Sequence, residues 1–158
     1  ERGAYWSTPA GTGRRPTPRV KAVDTTGAGD AFNGALAVGL SAGGSLEQAI
    51  PLLLQHGRGV VYGYRFGSAA YLTDHSEIPE SSMHQLEGLD ILFLDALRHK
   101  PHPTHSTVDN SLRIVERVKP KRAFFTHICH DLPHAATNAT LPKHVQLSYD
   151  GMKLEFEI

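Results

Sequence analysis

The chain has 158 residues, 40% of them hydrophobic and 20% charged, which suits one folded domain or two small pieces and excludes a disordered chain. Sixteen Lys and Arg balance sixteen Asp and Glu, so bulk charge offers no hold on nucleic acid or an anionic membrane. A single cysteine, Cys129, rules out an internal disulfide framework and fits a cytoplasmic location; no apolar run approaches the ~18 residues of a membrane span, and no signal peptide is visible. The first residue is Glu1 rather than methionine, as in a sequence cut into mid-protein.

In chain order, "GAYW" (3–6) is a strand candidate and 7–18, rich in Gly, Pro, Thr and Arg, reads as loop. "RVKAV" (19–23) is a second strand. "DTTGAG" turns into a helix of small residues from Asp30 to about Leu40, stopped by Gly43 and Gly44. Ser45 and Gln48 form a capping-box pattern for a further helix that Pro51 cuts short. "GVVYGYRF" (59–66) and "AAYLT" (69–73), separated by Gly67-Ser68, read as a hairpin. "PESSMHQLE" (79–87) is a short helix ended by Gly88. "DILFLDA" (90–96), a helix over 107–118 capped by the Ser106/Asp109 pattern, and "RAFFTH" (122–127) form a strand–helix–strand unit with parallel strands. "VQLSYDGMKLEFEI" (145–158) reads as a hairpin around Asp150-Gly151.

The stretch "VDTTGAGDAFNGALA" (23–37) carries the first chemistry. Gly27, Ala28 and Gly29 precede a helix N-terminus, where small residues let main-chain N–H groups approach an anion and the helix dipole favours negative charge. Asp30 stands where a carboxylate could take a hydroxyl proton. The string "DTTGAGDAFNGALAVGL" resembles the late signature of ribokinase-type (PfkB) sugar kinases, and "ERGAYWSTPAG" the strand pair before it. The resemblance covers about residues 1–50 and implies an anion hole at 27–29, Asp30 as base, and ATP with Mg²⁺.

All ten histidines lie beyond residue 50. His56 precedes the first hairpin, Asp74 follows "AAYLT", Asp95 ends one strand and His127 ends the next; C-terminal strand ends share a rim where α/β sites form. Histidine and aspartate converging there suit zinc or manganese. Residues 51–158, through "PLLLQHGRGVVYGY", "YLTDHSEIP", "LRHKPHPTHST" and "FTHICHDLPH", resemble the C-terminal half of metallo-β-lactamase-fold hydrolases, in particular the cyclic-phosphate phosphodiesterase branch. That resemblance implies a two-metal site with His56, Asp74 and His127 as ligands, Asp74 bridging, and His105 as general acid or phosphate holder. The H-x-H-x-D-H signature that supplies the other ligands in that fold is absent from this sequence. About two protein ligands per ion would remain, against the three usual for catalytic zinc, so loose metal binding and weak or no turnover are expected.

The expected architecture is therefore α/β: an incomplete metallo-β-lactamase-like αββα half, a mixed sheet with flanking helices, over 51–158, behind a ribokinase-like strand–turn–helix segment over 1–50. Half a sandwich has an apolar sheet face to cover, which predicts self-association or a missing upstream half. A small phosphorylated molecule is the expected substrate; sugar phosphorylation through Asp30, or a non-catalytic chimeric fold, are the alternatives. His75, His84, His99 and His144 are expected at the surface, His102 is expected to be structural, His130 and His134 are candidate supports for His127, and Asp95 either caps its loop or joins the site. Phe124 and Phe125 are expected in the core, and Cys129 as a small hydrophobe.

Overall fold

The computed structural model describes residues 4–8, 11–15 and 50–154. The cradle Gly27–Gly29, Asp30 and residues 30–49 of the expected helices lie outside the described residues. Strands β1 (Ala4–Thr8) and β2 (Gly11–Arg15) pair antiparallel, with Thr8 opposite Gly11. Residues 11–15 are thus strand rather than the expected loop: with a partner strand in register, their Gly and Thr content no longer decides the conformation.

The remaining strands form a six-stranded mixed sheet in the order β3-β4-β5-β6-β7-β8. They are β3 (Ile50–His56), β4 (Gly59–Phe66), β5 (Ala69–Leu72), β6 (Ile91–Asp95), β7 (Arg122–Thr126) and β8 (Val145–Leu147). Pairing is antiparallel from β3 to β5 and parallel from β5 to β8. Because two antiparallel steps restore direction, β3 runs the same way as β5, β6 and β7. Their C-terminal ends therefore share one rim.

Strand β3 was not legible as a strand. "PLLLQH" shows no alternation of residue type, yet Leu52 and Leu54 are buried while Leu53 points outward. Its pairing with β4 closes through Gly57, which has φ +56; a Cβ there would sit 2.9 Å from the Thr104 methyl group. A side chain at 57 is excluded both by backbone conformation and by the loop packed against it.

One sheet face carries Leu52, Leu54, Leu72, Leu92, Leu94, Phe125 and Leu147 against helices α1 (Glu80–Met83) and α2 (Val108–Val118), the main core. The other carries Phe66, Ala69, Ile91 and Phe124, with Tyr64, Tyr71, Phe93, Met152 and Leu154 against them. Alternation along each strand sends neighbouring residues to opposite faces, so Phe124 and Phe125 are both buried, in different clusters.

Three local expectations are corrected. Helix α2 is capped by Thr107, whose hydroxyl accepts from the Asn110 N–H at 3.1 Å; Ser106 instead turns inward to Ser111 at 2.8 Å. A helix α3 (His134–Thr140) forms where none was expected, and Asn138 Oδ1 on it accepts from the Leu147 N–H at 2.7 Å. The hairpin expected over 145–158 is reduced to β8, paired with β7, and a turn at Asp150-Gly151 closed by Met152 N–H to Tyr149 O at 3.2 Å. Residues 152–154 add no strand, and 155–158 lie outside the described residues. Among the described residues no helix is long and apolar enough to cross a membrane.

Candidate metal centre

The shared rim gathers side chains from four strands. His56 ends β3, Asp74 follows β5, Asp95 ends β6 and His127 follows β7. Asp74 and His127 both adopt left-handed backbone, φ 60 and 56. Non-glycine residues pay conformational energy there, and such positions cluster at functional sites because they turn a side chain back over a strand end.

Asp74 is the hub. Its Oδ1 lies 3.4 Å from His105 Nδ1, 3.5 Å from His56 Nε2 and 3.8 Å from His127 Nε2. These distances exceed the 2.7–3.2 Å of a good N–H···O hydrogen bond. They resemble the separation of about 3.4 Å between ligand atoms that each stand ~2.1 Å from one tetrahedral ion. Two groups of potential ligands follow, His56/Asp74/His105 and Asp95/His105/His127, with ligand atoms in each within 4.8 Å of one another. The donor set of imidazoles and carboxylates suits a divalent cation, and the buried Asp95 Oδ1, which has no hydrogen-bond partner among the described residues, adds an unsatisfied oxygen beside it.

His105 sits among both groups. Its Nδ1 meets Asp95 Oδ2 at 3.3 Å as well as Asp74, and its ring packs 4.7 Å from that of His127 and 5.4 Å edge-on to that of His56. The hydrogen bond to Asp95 holds its pKa above the ordinary histidine value, against a smaller opposing effect of burial. The loop that carries His105 is fixed from below: the Ser111 hydroxyl donates to the Asp95 carbonyl, and Leu97 N–H donates to Ser106 O at 3.0 Å.

From sequence alone Asp95 either caps its loop or joins the site. It is fully buried, and its Oδ2 accepts from the His75 main-chain N–H at 3.0 Å and meets His105. It therefore ties the residue after Asp74 to His105.

His75 corrects the sequence reading outright. It was expected at the surface but is 0% exposed, and among the described residues neither ring nitrogen has a hydrogen-bond partner. Burial lowers its pKa to about 4, with Asp95 pulling the other way, so the ring is neutral at pH 7. The reason is topological: Asp74 turns outward to the rim, so the next residue is directed inward. His84, His99 and His144 are exposed as expected.

His102, expected to be structural, lies with its ring 4.8 Å from that of His105. Burial first, and then the charge on His105, push its pKa down. His130 and His134 do not support His127: His130 pairs with Asp131 at 3.4 Å and His134 with Asn138 at 3.3 Å. Cys129 is partly exposed rather than a packed hydrophobe, and together with His130 and Asp131 it forms a separate sequence-contiguous group of potential ligands.

The family described as pfkB family carbohydrate kinase matches residues 1–52. A curated relative, an octanoyltransferase of Porphyromonas gingivalis (strain ATCC BAA-308 / W83), is 31% identical over 105 residues, 65% of this chain and 21% of that protein. Among solved structures, a diphosphatase from the PhnP family is 64% identical with a TM-score of 0.70, covering 72% of this chain and 46% of that one. Human tRNase Z, short form, is 19% identical with a TM-score of 0.56, covering 72% and 46%. The metallo-beta-lactamase fold protein YhfI from Bacillus subtilis is 17% identical with a TM-score of 0.55, covering 66% and 47%. The last two show the fold alone. The chain spans about half the length of these solved structures and about a fifth of the curated relative. Residues 51–158 thus resemble the C-terminal half of the metallo-β-lactamase-fold hydrolases, with the PhnP-family diphosphatase similar in sequence as well as fold, behind a segment that resembles the pfkB carbohydrate kinases.

Proposed function

We propose that residues 51–158 are the C-terminal half of a metal-dependent phosphodiester hydrolase, joined near residue 50 to a pfkB-like segment. The observation that carries this reading is the single Asp74 oxygen surrounded by three imidazole nitrogens at 3.4–3.8 Å. His56, Asp74 and His127 would hold zinc or manganese. When bound, such an ion supplies Lewis-acid polarisation of a phosphoryl oxygen and a more acidic water.

His105 is the general acid. Its hydrogen bond to Asp95 favours the protonated ring, and Asp95 holds Nδ1–H, which leaves Nε2–H for the substrate. As the bond from phosphorus to the leaving alkoxide breaks and a water oxygen bonds to phosphorus, the Nε2 proton passes to the departing oxygen. The products are a phosphomonoester and an alcohol. The substrate is a small phosphorylated molecule, consistent with the absence of net charge and with the name of the PhnP-family relative.

Turnover by this chain alone is weak, because the described side chains give each ion about two protein ligands. A second copy or an upstream half would complete the coordination.

The test is metal content after purification and exchange with zinc or manganese, together with hydrolysis of bis(p-nitrophenyl) phosphate. Bound metal lost in His56→Ala and Asp74→Ala, with hydrolysis lost in parallel, is the expected result. Hydrolysis that survives both substitutions refutes the reading.

A further inference from the structure

His102 stands one ring beyond the cluster centred on Asp74. Its Nδ1 meets the Thr104 main-chain N–H at 3.4 Å and the Thr104 hydroxyl at 3.2 Å. A main-chain N–H can only donate, so Nδ1 is an acceptor, and the hydrogen of the neutral ring is on Nε2. Among the described residues that Nε2–H has no protein partner, although the ring is half-buried. The rings of His102, His105 and His127 form a row, with centroids 4.8 Å and then 4.7 Å apart and each pair tilted by 31°.

The loop bearing His102 is braced. Gly57, next to His56, packs so closely on Thr104 and Pro103 that a Cβ would lie 2.9 Å from the Thr104 methyl carbon and 3.4 Å from the Pro103 carbonyl oxygen. On the other side Arg98 donates to Lys100 O at 3.2 Å and to Pro101 O at 3.1 Å. A half-buried imidazole with a fixed tautomer and an unused donor, held on a braced loop beside the acid, is organised to meet an acceptor from outside the protein.

We propose that His102 is a substrate-positioning residue whose Nε2–H hydrogen-bonds a non-bridging phosphoryl oxygen, next to the leaving oxygen that faces His105. This rests on the phosphodiester reading of the site. A phosphodiester suits two stacked imidazole donors because it offers two non-bridging oxygens besides its leaving oxygen. The contact is made in ground and transition states alike, so it acts on substrate binding rather than on turnover.

The experiment uses the full chain, with and without zinc. Ring ¹⁵N shifts of His102 report the tautomer, and titrations with dimethyl phosphate and with inorganic phosphate report contact. The expected results are an Nε2–H tautomer at pH 7.5 and a saturable shift of the His102 ring with either probe. In zinc-loaded protein hydrolysing bis(p-nitrophenyl) phosphate, His102→Phe is expected to raise KM about tenfold, the worth of one hydrogen bond, with kcat and zinc content unchanged. His102→Gln, whose amide nitrogen takes the place of Nε2, is expected to restore KM to within about threefold, about 0.65 kcal/mol; His102→Asn is not. An Nδ1–H tautomer, a His102 ring indifferent to both probes, or a His102→Phe enzyme that loses zinc or kcat instead of affinity would overturn the proposal. A chain that takes up no zinc defeats the hydrolase reading, whereas the phosphate-induced shift of the metal-free protein still decides the contact at His102.

Discussion

The antiparallel and parallel halves of the sheet deliver their site residues in different ways. In the antiparallel half, β3 to β5, strands follow one another through tight turns, and His56 and Asp74 arrive at the rim through local pairing. In the parallel half, β5 to β8, each strand needs a crossover, and Asp95, His105 and His127 come together only after α1, α2 and their loops have packed. The site straddles the seam between β5 and β6. Asp74 belongs to the hairpin half but touches His105 and His127 from the crossover half. The geometry of the site is therefore a long-range property, and the two halves should respond differently to substitution.

The largest effect on metal binding is expected where the halves meet. Asp74→Ala removes the oxygen that all three imidazoles share, and metal affinity is expected to fall at least 100-fold, about 3 kcal/mol, in a competition titration against a zinc indicator. Retained affinity would show that the two halves hold metal independently. Within the crossover half, Phe125→Ala empties the fully buried position between β7 and the helical layer and is expected to cost about 3–5 kcal/mol in urea unfolding. A comparable cost from Leu53→Ala, on the partly exposed side of β3, would erase the distinction.

Next is the pH response of the metal-free protein. The folded-state pKa of His75, about 4, lies below its unfolded value of 6.5, so the unfolded chain binds the proton more readily. Its contribution is fully present above pH 6.5 and is lost as pH falls toward 4, in all about 3 kcal/mol. His105 has the opposite sign: its raised pKa adds stability at low pH that disappears as pH rises through the folded value. His75→Phe is expected to flatten denaturant midpoints between pH 6.5 and 4; an unchanged slope would assign the acid sensitivity elsewhere. The smallest and most local effect is on one proton. Asp95→Asn is expected to lower the His105 pKa, observed by ring NMR, while the fold stays intact.

Much of the crossover half was legible. "DILFLDA" and "RAFFTH" are apolar runs of strand length, and Leu112, Val115 and Val118 mark the helix between them. The first strand of the hairpin half was not, because three consecutive leucines and a proline carry no period, and only pairing with β4 decides which leucine faces inward. At the site, His56, Asp74, His105 and His127 were named from sequence and do stand together around Asp74. His75 was misjudged because its neighbours in sequence, Asp74 and Ser76, are polar, while its neighbours in space are not read from sequence at all.

By itself the sequence determined the lengths and types of most elements, the two stretches of different character that meet near residue 50, and the residue types able to bind a metal. Those depend on local periodicity, turn chemistry and side-chain donor atoms, all of which are properties of short segments. Tertiary structure alone decided that one carboxylate oxygen faces three imidazoles, that Asp95 orients His105, and that His75 is sealed inside. Strand direction and the crossover packing that brings residues 20 or more positions apart to one rim are set by the burial of whole sheet faces, a quantity no short segment contains.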